Sequence, residues 1–132
     1  MEIVQAYSSV VAAMGALALL MLAQVLVVDV LGMRAKHVPG SQVPVDHGNP
    51  HFRAARTVAN TNESIAVFIV AVLFCMFSGA SASLTTYAAW TFVVARALFA
   101  VCYYSNLQLL RSTMFGVSLL ALTGLIVIGF FT

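Results

Sequence analysis

Arg53, Arg56, Asn60 and Glu63 stand at i, i+3, i+7 and i+10 in FRAARTVANTNES, a spacing that places all four side chains on one helix face. Arg96, Phe99, Tyr103 and Asn106 repeat that spacing in ARALFAVCYYSN, and Arg111 follows shortly after. Arg34, Arg53, Arg56, Arg96 and Arg111 outnumber Glu63 and Asp29. Guanidinium is therefore left over to bind an anion, either a lipid headgroup or a carboxylate-bearing ligand, whose two oxygens match the arginine fork.

The chain that must position these groups has 132 residues, of which 62% are apolar and 8% charged, against roughly a quarter charged in soluble domains. So little polar surface excludes a soluble monomer. Apolar runs at Val4 to Met33, Ile65 to Ser78, Tyr87 to Leu107 and Met114 to Thr132, the second extended by the helix face above, supply four segments of about the 20 residues a bilayer requires. The expected fold is all-α, an integral membrane four-helix bundle forming one domain over residues 1–132. Asn49 and Pro50 supply an N-cap and an N1 proline, and no breaker follows before Ser78 and Gly79. The second helix is therefore predicted over residues 50–78, about 43 Å long, so its first turns project beyond the ~30 Å hydrocarbon core. Ser78 to Ser83 reads as a tight turn, and Tyr103 to Ser112 as a short polar break.

Arg34, Lys36, Arg53 and Arg56 flank the first loop, Arg111 lies in the third, and the second has no basic residue. By the positive-inside rule, loops one and three face the cytoplasm and both termini the opposite side. No basic patch of the size that nucleic acid requires is present. The N-terminal MEIVQAYSS lacks a basic n-region, so the first helix is expected to be retained rather than cleaved as a signal peptide. Cys75 and Cys102 both lie within apolar runs and read as buried thiols rather than a disulfide.

Polar groups inside a membrane are costly and mark function by default. Measured from the Ser78 to Ser83 turn at about 1.5 Å per residue, Glu63 and Tyr103 stand near one level and Arg96 roughly 4 Å below Glu63. A long arginine side chain can reach upward over that distance, so an Arg96 to Glu63 contact is predicted. The plainer reading of Arg96, Asn60 and Glu63 is interhelical glue, worth about 0.6 to 2 kcal/mol per pair in bilayers.

FRAARTVANTNES (Phe52 to Ser64) resembles the Arg-x-x-Arg-x-x-x-Asn-x-x-Glu signature of the second helix in the MAPEG superfamily, membrane-associated proteins in eicosanoid and glutathione metabolism. ARALFAVCYYSNLQLLRS (Ala95 to Ser112) is similar to that family's third-to-fourth-helix segment. The resemblance implies a homotrimer that binds glutathione near the cytoplasmic face between neighbouring subunits. Arg56, Asn60 and Glu63 match glutathione ligands of the second helix, Tyr103 a ligand of the third, and Arg34 an arginine supplied by the adjacent subunit. Arg111 matches the arginine that stabilises the glutathione thiolate, with Tyr103 assisting, since a neighbouring cation favours the anionic sulfur. The chain departs from the family at Ser64, Ile65 and Ala66, where many members carry an aromatic and then a proline. It departs again at Phe99, where the enzymes often have tyrosine or histidine, and the match of Arg111 needs a one-residue shift.

The resemblance implies a glutathione transferase or peroxidase acting on lipophilic electrophiles or hydroperoxides, with glutathione as cosubstrate and no metal. The alternatives are a non-catalytic membrane protein that binds lipid or another hydrophobic ligand on the same fold, and a small multidrug exporter. An exporter's coupling carboxylate is expected deep in the first helix, whereas Asp29 lies near that helix's end. Asp46, His47 and His51 flank a helix start and offer no fourth ligand, so they read as a hydrated loop rather than a metal site. Asp29 is expected to neutralise Arg34 or Lys36, and Trp90 and Tyr104 to pack or lie at the interface. Ala12, Gly15 and Ala16 allow close helix contact of the kind that oligomers use.

Overall fold

The computed structural model describes residues 2–132, and their regular structure is helical throughout. In order, the helices are α1 (Glu2–Ala6), α2 (Ser8–Arg34), α3 (Pro50–Ser78), α4 (Ala82–Tyr104) and α5 (Gln108–Phe131). α2 to α5 are each long and apolar enough to cross a membrane, as the four hydropathic segments require, and the chain is an integral membrane protein.

The first apolar run is broken where one continuous helix was expected. Tyr7 leaves the helical path at φ −105° and ψ 23°, and its ring is buried. Its hydroxyl donates to the carbonyl of Cys75 at 3.2 Å and to that of Ala80. Those bonds tie the start of α2 to the α3–α4 turn, and hydropathy carries no trace of them. Burial pushes the Tyr7 phenol above its ordinary pKa, because a phenolate would lose its water.

α3 begins and ends where its capping residues place it. Asn49 Oδ1 accepts the N–H of His51 at 3.0 Å, Pro50 occupies the first turn, and Gly79 closes the helix at φ 71°, a left-handed conformation that glycine adopts without a Cβ penalty. Ala54, Thr57, Thr61, Ser64, Phe68, Val72 and Cys75 form its buried stripe. Phe68 stacks on Phe92 of α4 at 4.6 Å between centroids, and around this pair Val10, Ala13, Leu17 and Leu125 complete the core. Large apolar side chains such as Leu19, Leu26, Val70, Leu120 and Phe130 point outward. A bilayer accepts such a surface and water does not.

The two ends of the bundle differ. At one end Tyr7, the α3–α4 turn and Thr132 meet, with the Ser81 N–H donating to Thr132 Oγ1 at 3.2 Å. At the other end Arg53 Nη1 donates to the His47 carbonyl at 2.8 Å and Nη2 to that of Tyr104 at 3.3 Å. The first loop and the α4–α5 turn therefore share one end, and Tyr7 and Thr132 share the other with the α3–α4 turn. The α4–α5 break is shorter than the polar run suggests, spanning only residues 105–107. Asn106 takes φ 57°, and the N–H groups of Asn106 and Leu107 return to the carbonyls of Tyr103 and Cys102, a Schellman closure. Polar residues from Gln108 onward already belong to α5.

Candidate functional site

At the end that carries the first loop, α3, α4 and α5 enclose a cleft of about 210 Å³ lined by Arg56, Asn60, Phe99, Tyr103, Arg111, Ser112 and Phe115. The i, i+3 and i+7 spacing of Arg96, Phe99 and Tyr103 turns all three inward on α4, where they are buried. Arg111 comes in from the second turn of α5 rather than from a loop, and its guanidinium carbon stands 4.4 Å from the Tyr103 ring centroid. Phe99 and Tyr103 pack edge to face at 5.5 Å, and the Arg96 guanidinium carbon lies 4.2 Å from the Phe99 centroid. Two cations thus bracket two aromatic rings, with each cation at cation–π range.

Of the expected site residues, Arg56, Asn60, Tyr103 and Arg111 line this one cleft. Arg34 and Glu63 do not line it; both are exposed on the single chain, at the end of α2 and on the outer side of α3. Asn106 leaves the α4 stripe for the turn. Arg53 is spent on the carbonyls of His47 and Tyr104 and serves as a clasp.

The expected Arg96 to Glu63 contact does not form. Arg96 is fully buried and donates from Nη2 to Asn60 Oδ1 at 2.8 Å and to Thr61 Oγ1 at 3.0 Å, while its Nε and Nη1 meet no acceptor. The reason lies in the helical rotation of α3. Glu63 stands about 160° round the helix from Thr61, so it points away when Thr61 faces α4. Thr61 carries neither a charge nor an amide, so nothing in the sequence singles it out as a partner of Arg96. Gln24 is a second buried polar group, outside the two polar stripes: it is 2% exposed on α2, and its Nε2 lacks an acceptor. An amide within the longest apolar run is a signal that could have found it.

The histidines of the first loop diverge. The His51 ring lies against Gly32 of α2 and 4.8 Å from that of His37, whereas His47 packs edge-on to Phe52. Among the described residues no three His, Cys, Asp or Glu side chains gather as a metal site would require. Cys75 and Cys102 are free, and the Cys75 thiol faces the Leu125 carbonyl at 3.1 Å. Trp90 Nε1 donates to Ser9 Oγ at 3.1 Å, which joins α4 to the start of α2.

The cleft is chemically one-sided. Its two guanidiniums only donate, and it contains no carboxylate, so it suits an anionic group of roughly carboxylate or thiolate size. Comparison with curated proteins and with solved structures finds no match. The family model described as MAPEG family matches residues 10–131, nearly the whole length, and the chain belongs to the MAPEG family.

Proposed function

We propose that this protein binds glutathione in the α3–α4–α5 cleft and conjugates it to lipophilic electrophiles, or uses it to reduce lipophilic hydroperoxides, that arrive from the bilayer. The observation that carries the reading is the convergence of Arg56, Asn60, Tyr103 and Arg111 on one cleft, in a family that includes glutathione transferases and proteins of eicosanoid synthesis. Arg56 and Asn60 hold the tripeptide. Arg111 faces the sulfur and favours its anion, and Tyr103 holds Arg111 in place and lends its hydroxyl. The thiol proton leaves to solvent. In conjugation the thiolate forms a carbon–sulfur bond while the leaving group departs with its electron pair. In reduction it takes the distal peroxide oxygen, releases the alcohol after protonation, and a second glutathione then yields the disulfide and water.

Further along the α3–α5 seam, about 15 Å from the cleft, an apolar groove of about 410 Å³ is lined by Val67, Val70, Phe74, Ile126 and Phe130 among others. It gives a lipophilic reactant a place to lie. The same groove favours the second reading, non-catalytic binding of a lipid on this fold.

We further propose a homotrimer with the first loop and the α4–α5 turn in the cytoplasm. Arg34 and Glu63 are exposed on the single chain, as are Ala12 and Gly15, which fits a ligand site completed by a neighbour and a close helix contact between copies. Calorimetry of glutathione on detergent-purified protein, with a thiolate absorbance difference spectrum on the same sample, tests the function. Binding with thiolate at neutral pH supports the enzyme. Binding without it leaves a glutathione site with no activated sulfur, and no binding at millimolar glutathione overturns the proposal in favour of lipid binding.

A further inference from the structure

Asn60 faces two ways. It lines the cleft, and behind the cleft wall its Oδ1 accepts from Arg96 Nη2 at 2.8 Å. A side-chain amide is ambivalent by itself, because a half-turn exchanges its oxygen for its NH2 at almost no cost in shape. Arg96 removes that ambivalence. A guanidinium has five N–H donors and no acceptor, so only the oxygen of Asn60 can face it. The guanidinium is fully buried and held on two further sides, by Thr61 Oγ1 at 3.0 Å and by the Phe99 ring at 4.2 Å. Turning Asn60 round would set donor against donor where no water can intervene.

We propose that Arg96 is a positioning residue that fixes Asn60 as a hydrogen-bond donor toward the cleft, so that the cleft selects the carboxylate end of its ligand over an ammonium or ester end. With Asn60 so turned, Arg56, Asn60 and Arg111 all present N–H groups, and only the hydroxyls of Tyr103 and Ser112 retain an acceptor. The identity of the ligand rests on the glutathione reading above. The orientation of Asn60 does not, since it follows from Arg96 alone.

The test uses the full chain in detergent and reads thermal stability and glutathione affinity separately. N60D keeps the side chain's shape, offers Arg96 an acceptor and removes the N–H from the cleft. It is expected to melt at or above the wild-type temperature while binding glutathione about 30-fold more weakly. A melting point several degrees lower overturns the proposal without any ligand, because it means that Asn60 spends its NH2 inward. N60D affinity within about threefold of wild type overturns it as well. R96K, which still only donates, is expected to stay within about fivefold of wild-type affinity. R96M frees the amide and is expected to lose about tenfold in affinity and part of the preference for glutathione over its diethyl ester, with Arg56 and Arg111 keeping the rest. R96M that folds and binds as wild type does overturns the proposal; if R96M does not fold, N60D decides. A wild-type protein that binds no glutathione defeats the glutathione reading, and the melting point of N60D still decides whether Arg96 orients Asn60.

Discussion

Arg111 stands over the ring of Tyr103, with its guanidinium carbon 4.4 Å from the ring centroid, so a residue from the second turn of α5 is held in place by one from the last turns of α4. This contact fixes a cation at the wall of the cleft where a bound thiol would have to ionise. Arg111→Ala removes the cation and leaves Arg56 and Asn60 untouched. Glutathione affinity is expected to stay within about threefold, while turnover falls by about 100-fold to 1,000-fold, as when one donor to a developing anion is lost. The sign on pH follows directly. A neighbouring cation lowers the thiol pKa of bound glutathione, so in the variant the thiolate absorbance appears at higher pH than in wild type. An unchanged thiolate titration removes Arg111 from the mechanism.

Tyr103 has two parts with separable duties. Its ring carries Arg111 and packs against Phe99, whereas its hydroxyl is assigned to the ligand only by the proposed function. Tyr103→Phe keeps the ring, so the Arg111 dependence of the thiolate signal is expected to persist with a loss of about tenfold or less in turnover. Tyr103→Leu removes the aromatic face and is expected to reproduce most of the Arg111→Ala defect. Equal activity of the two variants would show that the stack does not position Arg111.

How far these contacts were legible in the sequence depends on the kind of signal. The limits of α3 were readable to the residue, because Asn49, Pro50 and Gly79 act locally on the backbone and leave a compositional mark. The convergence of Arg56, Asn60, Tyr103 and Arg111 was readable from helical spacing together with a family resemblance. The partner of Arg96 was not. Spacing puts Asn60 and Glu63 in one column, but which edge of that column turns inward is settled by the packing of α3 against α4, through Thr61, Phe68 and Phe92. The break at Tyr7 was hidden for a related reason, since its acceptors lie 68 and 73 residues away.

Tyr7 yields a stability prediction free of any assumption about ligand. Its buried hydroxyl bridges to the Cys75 and Ala80 carbonyls, and the Cys75 carbonyl also takes part in closing α3, accepting the Ala80 N–H at 3.0 Å. Tyr7→Phe preserves the ring and deletes one donor. The expected cost is about 1 to 2 kcal/mol of stability, read as a lower melting temperature in detergent, with glutathione affinity unchanged because the cleft lies at the other end of the bundle. A variant that melts as wild type does would mean that water already satisfies those carbonyls.

Arg53 gives the complementary prediction at the cleft end. Nη1 holds the His47 carbonyl at 2.8 Å in the first loop, and Nη2 holds the Tyr104 carbonyl at 3.3 Å in the last turn of α4, where unpaired carbonyls and the negative end of the helix attract a cation. One side chain thereby clasps the loop to the helix that carries Tyr103. Lysine, with a single compact ammonium, cannot present a fork to two carbonyls in the same way. Arg53→Lys and Arg53→Ala are therefore both expected to loosen the loop, and limited proteolysis between His37 and Asn49 should accelerate about tenfold in the alanine variant and less in the lysine variant. Because the clasp reaches Tyr104 and not the cleft itself, thermal stability of the four-helix core should fall by no more than about 1 to 2 kcal/mol. Proteolysis at the wild-type rate in both variants would show that the loop is held by the packing of His51 and Phe52 alone, and that Arg53 is free for a ligand after all.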